Sequence, residues 1–396
     1  MKKTLVALAA LAATSAFAQS AVTLYGTLDI GAGNVTYSKA DAVVTTRSGA
    51  ETSANDSSRW GLTGTEDLGG GMKTEFKIEQ GIGTNPRSGI AQDNIMINGT
   101  STGNGFTLDN TVLGDRELWV GMTSGALRVN AGFGVTAMRN LAVQTDAAQS
   151  NQMGNPIAHV IGAFRREGVR VDYTLAGGWL LSGGVSGNRQ NSAGVTADAT
   201  HVGTPAGEFR QGKGYTYGLQ YTQGPVNAGF FHDEVASQTA VYASAAATSW
   251  GLQFPVSIAG TATNSNTKTN LLAGSYDAGV AKLFAQYHTI EVVQVDGDAT
   301  TKGAGKKDGT SVGVRVPFGA TTVFAQVFNG HDKLNPAANA TTDNRAWKGQ
   351  SFGVRHDLSK RTYAYVNTGF YKTDVSSQGS DNTKYQQTAL GLVHSF

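Results

Sequence analysis

Val22-Thr23-Leu24-Tyr25-Gly26-Thr27-Leu28-Asp29-Ile30 decides the fold. Successive side chains of a strand point to opposite faces. Val22, Leu24, Gly26, Leu28 and Ile30 therefore share one face, and Thr23, Tyr25, Thr27 and Asp29 share the other. In a soluble sandwich the apolar face meets a core. In a membrane barrel it meets lipid, while the polar face meets a wet lumen.

Outward from this stretch the pattern recurs, with charge at strand centres. Met72, Phe76 and Ile78 oppose Lys73, Glu75, Lys77 and Glu79. Leu127, Val129 and Ala131 oppose Arg128 and Asn130, and Val169, Val171, Tyr173 and Leu175 oppose Arg170, Asp172 and Thr174. Trp60 and Leu62 oppose Arg59, Val312, Val314 and Val316 oppose Arg315, and Phe352 and Val354 oppose Arg355. A polar lumen accounts for all of these charges together. The connectors alternate in length. Short ones such as 67–71, 123–125, 223–225 and 357–360 carry Gly, Pro, Asp and Ser, which is turn chemistry. Long ones include 81–113, 133–165, 187–213 and 233–268. Tight turns on one side and long loops on the other are the layout of a membrane barrel.

The runs place strands near 22–33, 58–66, 71–80, 114–122, 125–132, 166–175, 179–186, 214–222, 226–233, 268–276, 280–288, 309–316, 320–328, 348–356, 361–370 and 385–396. The expected fold is an all-β, 16-stranded antiparallel transmembrane β-barrel, a size that leaves an aqueous channel. Leu390, Leu392 and Phe396 alternate to the last residue, as suits a strand that closes flush against the first.

The N-terminus reads as an export signal. Lys2 and Lys3 precede an apolar run from Leu5 to Leu11, and Ala16-Phe17-Ala18 is a small-residue cleavage site. Residues 1–18 are expected to be removed, leaving 19–396 as one barrel domain. Beyond that run no stretch of about 20 apolar residues offers a transmembrane helix. The 31 Lys and Arg nearly balance the 29 Asp and Glu, so no basic bias points to nucleic acid. There is no cysteine, and a closed hydrogen-bonded barrel is one way to stabilise an exported chain without disulfides. Catalytic patterns fail. No histidine has the His or Glu partner four residues on that a helix-borne metal site needs. Gly303-Ala304-Gly305-Lys306-Lys307 lacks the first glycine and the Ser or Thr of a phosphate loop. Neither an enzyme activity nor a cofactor is expected.

Several segments resemble the general porins of β-proteobacteria. They are Val22-Thr23-Leu24-Tyr25-Gly26 with Asp29, Ser58-Arg59-Trp60-Gly61-Leu62-Thr63-Gly64-Thr65-Glu66-Asp67-Leu68-Gly69-Gly70-Gly71, Gly274 to Ala285, Leu358-Ser359-Lys360-Arg361-Thr362, and the terminal Phe396. The resemblance spans the mature chain. It implies a trimer of barrels in the outer membrane of a Gram-negative cell, each narrowed by an inward-folded third loop, and passive diffusion of small hydrophilic solutes and ions. It implies as partners the lipid, sibling subunits and the barrel-assembly machinery, which would receive the strand ending in Phe396. Asn130-Ala131-Gly132 stands where the family usually shows Gly-Arg-Gln, and Val169-Arg170 where it often has Asn-Ser. Both departures bear on solute preference rather than on fold.

A pore selects by its width and by the charges at its narrowest part. Parity turns Arg59, Lys77, Arg128, Arg170, Arg315 and Arg355 inward, and Arg166 too if its strand begins that early. Arg59 and Arg166 match basic constriction positions of the resembling family, and Glu79 an acidic wall position. Arg116 also matches a basic position, but its parity groups it with Leu118 and Val120, so only a bulge or a strand end would turn it inward. The third loop, taken as 133–165, holds one acid, Asp146, against Arg139 and Arg165. This excess of arginine predicts a mild anion preference. The rival reading is a substrate-specific channel with an aromatic track, for which Trp119 and Trp179 are the candidates. Trp179 shares parity with Leu181 and fits an outer aromatic girdle better.

Overall fold

The structure is a computed structural model. It describes residues 21–39, 42–52, 55–82, 114, 116–148, 165–187, 213–237, 242–244, 254–256, 265–294, 304–335, 343–375 and 383–396. The expected signal segment, 1–18, lies outside them. In chain order the elements are β1 (Ala21–Lys39), β2 (Ala42–Thr52), β3 (Arg59–Gly69), β4 (Met72–Gly81), β5 (Glu117–Ser124) and β6 (Leu127–Val135). Then come α1 (Ala137–Gln144), β7 (Arg165–Leu175), β8 (Trp179–Ser186), β9 (Gly214–Gln223), β10 (Val226–Ser237), β11 (Tyr242–Ser244) and β12 (Phe254–Val256). The chain ends with β13 (Ser265–Asp277), β14 (Lys282–Gln294), β15 (Ala304–Phe318), β16 (Thr321–Asn335), β17 (Asp343–Asp357), β18 (Thr362–Val375) and β19 (Thr383–Ser395).

From β3 to β10 and from β13 to β19 each strand pairs antiparallel with the next, β10 pairs with β13, and β1 pairs with β19 from Thr27↔Ser395 to Lys39↔Thr383, so the sheet closes. On its other edge β1 pairs with β2 through Ile30–Lys39 and with β3 through Ala21–Thr27. β2 and β3 are thus two halves of one wall position, and the barrel has sixteen. β2 lies in the stretch 34–57, to which the sequence pattern assigns no strand, and β5 begins at Glu117 rather than at 114. β11 and β12 form a separate small hairpin within the connector 233–268.

The side chains are arranged inside out, as a wet lumen within lipid requires. Leu24, Ile30, Val120, Leu272 and Leu390 are more than half exposed on the outer face. Gln220, Ser275, Gln286, Ser311, Gln326, Ser351, Asn367 and Gln387 are buried on the inner face. The tight turns follow from composition. Between Gln223 and Val226 only Gly224-Pro225 remains, and Gly224 takes φ +57°, the left-handed conformation glycine supplies at the first position of such hairpin turns. At the seam Gly26 and Phe396 exchange two backbone hydrogen bonds of 3.1 Å. The Phe396 ring lies over Gly26, where a Cβ would collide with it.

An apolar seat forms inside one half of the barrel. Phe231, Leu271, Phe328, Trp347, Tyr371, Tyr385, Tyr37 and Val35 make one buried cluster with Ala137, Met138, Leu141 and Ala142 of α1. Rings run from Trp347 through Phe328, Tyr371 and Tyr385 to Tyr37, with centroids 4.7–6.2 Å apart. This seat receives the inward-folded loop.

Candidate functional site: a charged constriction

The third outer connector runs between β6 and β7, residues 136–164, and its first part turns into the lumen. Thr136 caps α1, its hydroxyl accepting from the Arg139 amide at 3.3 Å. Met138, Leu141 and Ala142 face the apolar seat and are fully buried. Beyond the helix, polar wall residues take up the free backbone groups. Gln286 Nε2 donates to the Ala142 carbonyl (2.8 Å) and to Thr145 Oγ1 (3.0 Å). Gln326 Oε1 accepts from the amides of Ala147 (2.9 Å) and Ala148 (3.2 Å), and Arg315 Nε donates to the Ala147 carbonyl at 2.6 Å. At the other end Arg170 donates to the Val135 carbonyl at 3.0 Å. The helix is held by van der Waals burial and its flanks by hydrogen bonds.

Glu79, 4% exposed, is the hub of the facing wall. It accepts from Tyr25 Oη at 2.9 Å and from Arg116 Nε at 2.7 Å. Lys77 Nζ stands 3.3 Å and Arg59 Nε 3.9 Å from it. Lys77 also pairs with Glu117 at 2.6 Å, and Glu117 accepts from the Trp119 indole at 3.0 Å. Arg116 precedes the first residue of β5. It therefore escapes strand parity and turns inward, the strand-end case. Arg139, in the first turn of α1, lies within electrostatic reach of Arg116, and Arg165 within reach of both. Five cations, Arg59, Lys77, Arg116, Arg139 and Arg165, converge on three acids, Asp56, Glu79 and Glu117.

The remaining candidates sit around the lumen. Arg128 pairs with Glu75 at 2.9 Å and lies 5.0 Å from the Trp119 ring. Arg166 is within β7, which begins at Arg165, and pairs with Asp233 at 2.7 Å. Arg170 pairs with Asp172 at 2.9 Å. Lys77, Glu117, Trp119, Arg128, Arg166 and Arg170 line a cavity of about 230 Å³ between the wall and the start of the third loop. Arg355 pairs with Asp357 at 2.7 Å near the short-turn end, away from the loop. Asp146 is 1% exposed. It belongs to the part of the loop held by β14–β16 and lies within electrostatic reach of Arg315. Trp119 is engaged by Glu117 and Arg128. Trp179 is 42% exposed and packs on Tyr221 on the outer face, so the two do not form a track.

Reading by sequence missed Glu117, although it shares the face of Trp119 two residues on. It also missed the work of Asp29. That carboxylate is fully buried and accepts from the amides of Asn55 (2.6 Å) and Asp56 (2.7 Å) and from Tyr365 Oη (2.8 Å). Ser58 Oγ accepts from the Asp29 amide at 2.9 Å. Residues 55–58, the break between β2 and β3, are thereby drawn into the lumen. Asp56 and the Ser57 carbonyl there accept from Arg59 at 3.0 and 2.6 Å.

This closed sixteen-position wall, with an inward loop facing a cationic rim, can be compared with known proteins. The family model described as Gram-negative porin matches residues 4–376. The chain belongs to the Gram-negative porin family. Outer membrane porin protein 32 of Delftia acidovorans is 30% identical over 388 residues, covering 96% of this chain and 92% of that protein. Major outer membrane protein P.IB of Neisseria gonorrhoeae is 25% identical and matches end to end. Among solved structures, the anion-selective porin from Comamonas acidovorans superposes with a TM-score of 0.67 at 20% identity, over 96% of this porin and all of that chain. The porin is a channel of the outer membrane, crossed by its strands.

Proposed function

We propose that this porin passes small hydrophilic solutes and ions by passive diffusion, with a mild preference for anions. The observation that carries the reading is the convergence of Arg59, Lys77, Arg116, Arg139 and Arg165 on only three acids. A solute passing between the third loop and the Glu79 wall meets a net positive field, and such a field in a narrow wet passage raises the local concentration of anions. The Comamonas relative is itself described as anion-selective. Planar-bilayer recordings across a potassium chloride gradient test the reading. The reversal potential is expected on the chloride side of zero, and a potential on the potassium side overturns it.

The working unit is proposed to be a homotrimer, a form described for the related fold of OmpT of Vibrio cholerae. Residues 1–18 are proposed to be cleaved on export, and the strand ending in Phe396 to be received by the barrel-assembly machinery before insertion in lipid.

A further inference from the structure

We propose that Gly313 sets the size limit of the pore, by giving the third loop a pit in the barrel wall to settle into. Gly313 lies on the lumen face of β15, in line with Ser311 and Arg315 and opposite Phe284 of β14 and Gln326 of β16. All four neighbours carry side chains, and Phe284, Ser311 and Gln326 are buried. The missing side chain at 313 leaves a depression between them. Ala147 points its methyl group into it and is fully buried. A Cβ placed on Gly313 would collide with the Ala147 Cβ, while its next neighbours, the Ala325 carbonyl oxygen and Gln326 Cβ, stand 3.1 and 3.3 Å away.

The backbone fixes this depth from both sides. The Ala147 amide donates to Gln326 at 2.9 Å, and its carbonyl accepts from Arg315 at 2.6 Å. These two side chains flank the pit, so the loop is drawn straight down onto residue 313. A glycine inside a strand often marks such a close approach of another segment. The lumen-facing glycines of β16 and β17 differ. Rings of the wall itself, Phe324, Phe328 and Trp347, cover Gly353, Gly349 and Gly330. Gly229 of β10 lies under Leu141 of α1, but there the Leu219 carbonyl of its own sheet is nearer, so the sheet alone demands glycine. At 313 the nearest atom belongs to the loop.

The consequence is a width. A methyl group added at 313 requires residues 146–148 to move about 1 Å toward the pore axis, which restores ordinary carbon–carbon contact. Overfilled packing displaces backbone in this way. The loop is one side of the passage and the Glu79 wall the other, and a pore discriminates by its diameter. The inference concerns width alone and stands whatever the sign of the charge preference.

The test is liposome swelling with neutral sugars of increasing size, beside single-channel conductance. It compares the full-length wild type with Gly313→Ala, Ala147→Gly and the double variant Gly313→Ala/Ala147→Gly. Gly313→Ala is expected to conduct less and to lose swelling rate severalfold more for a disaccharide than for a pentose. Ala147→Gly is expected to match wild type, since both hydrogen bonds use the backbone. In the double variant no loop atom would come closer than 3.3 Å to the new Cβ, so conductance and size series are expected to return to wild type. Damage to the sheet would persist in the double variant, and rescue therefore separates a fitted pit from a weakened strand. Ala147→Val enlarges the contact from the loop side and leaves β15 untouched. It is expected to narrow the pore likewise, and it keeps the test open if Gly313→Ala does not fold. An unchanged size series in Gly313→Ala overturns the proposal, whether or not the channel becomes noisier, and so does a double variant no better than the single.

Discussion

Asp29 shows how one buried carboxylate shapes a pore. It gathers two backbone amides and a tyrosine hydroxyl, and so holds residues 55–58 against the inner wall. Hydrogen bonds to a charged group contribute about 1.5–3 kcal/mol each, net of competition from water. Asp29→Asn keeps the shape but removes the charge and turns a donor toward two amides. It is expected to lower stability by about 2 kcal/mol in denaturant titration and to shift the reversal potential, because the charge is lost and Arg59 loses its frame on Asp56. An unchanged midpoint and reversal potential would count against this role. Arg59, Lys77, Arg128 and Arg170 were legible in sequence because a strand's period of two is rigid. Arg116 was legible only through the family resemblance, since it stands just outside β5 and parity turns it outward, and Asp29's role was not, since its partners come from a break 26–29 residues away and from β18.

At the scale of elements, the third loop is pinned from both sides of α1, and the pins differ. The helix rests on an apolar seat, whereas residues 147–148 depend on Gln326 and Arg315. Gln326→Ala leaves two buried amides without their acceptor while the seat stays intact. The expected outcome is a folded barrel of unchanged rim whose open-channel current noise rises severalfold, read in single-channel records. A quiet channel of wild-type noise would mean that the seat alone suffices. α1 escaped sequence reading because it is only two turns long and its apolar positions, 137, 138, 141 and 142, meet a wall that strand patterns cannot reveal. β2 escaped for another reason. Thr46, Ser48 and Ala50 are exposed on it, so it shows no apolar face. Alternation marks a strand only where one face meets lipid and the other water, and strand extensions beyond the bilayer are wet on both.

For the whole molecule, the field at the constriction is a balance of neighbouring pairs with a small cationic surplus. Such a field is sensitive to salt. The screening length falls from about 10 Å at 0.1 M to about 3 Å at 1 M. The chloride-to-potassium permeability ratio is therefore expected to decline toward one as the mean salt concentration rises, measured as reversal potentials at a fixed gradient. A ratio independent of salt would place selectivity in pore width instead. The strand count was legible because every hairpin repeats one local pattern. The closing register was not, because it joins residues as far apart as Thr27 and Ser395, which no local window contains.

That seam has a topological consequence. Since β1 and β19 are ordinary neighbours, the barrel has no privileged first strand. A linker from Phe396 back to Ala21, with new ends cut in the connector between β8 and β9, preserves every ladder in the wall. Such a circular permutant is expected to refold in detergent micelles to the same heat-resistant, fast-migrating band on a gel and to conduct like the original. If it refolds with wild-type conductance, the seam is merely where the gene happens to start; if it does not, the order in which the strands arrive is itself part of the fold.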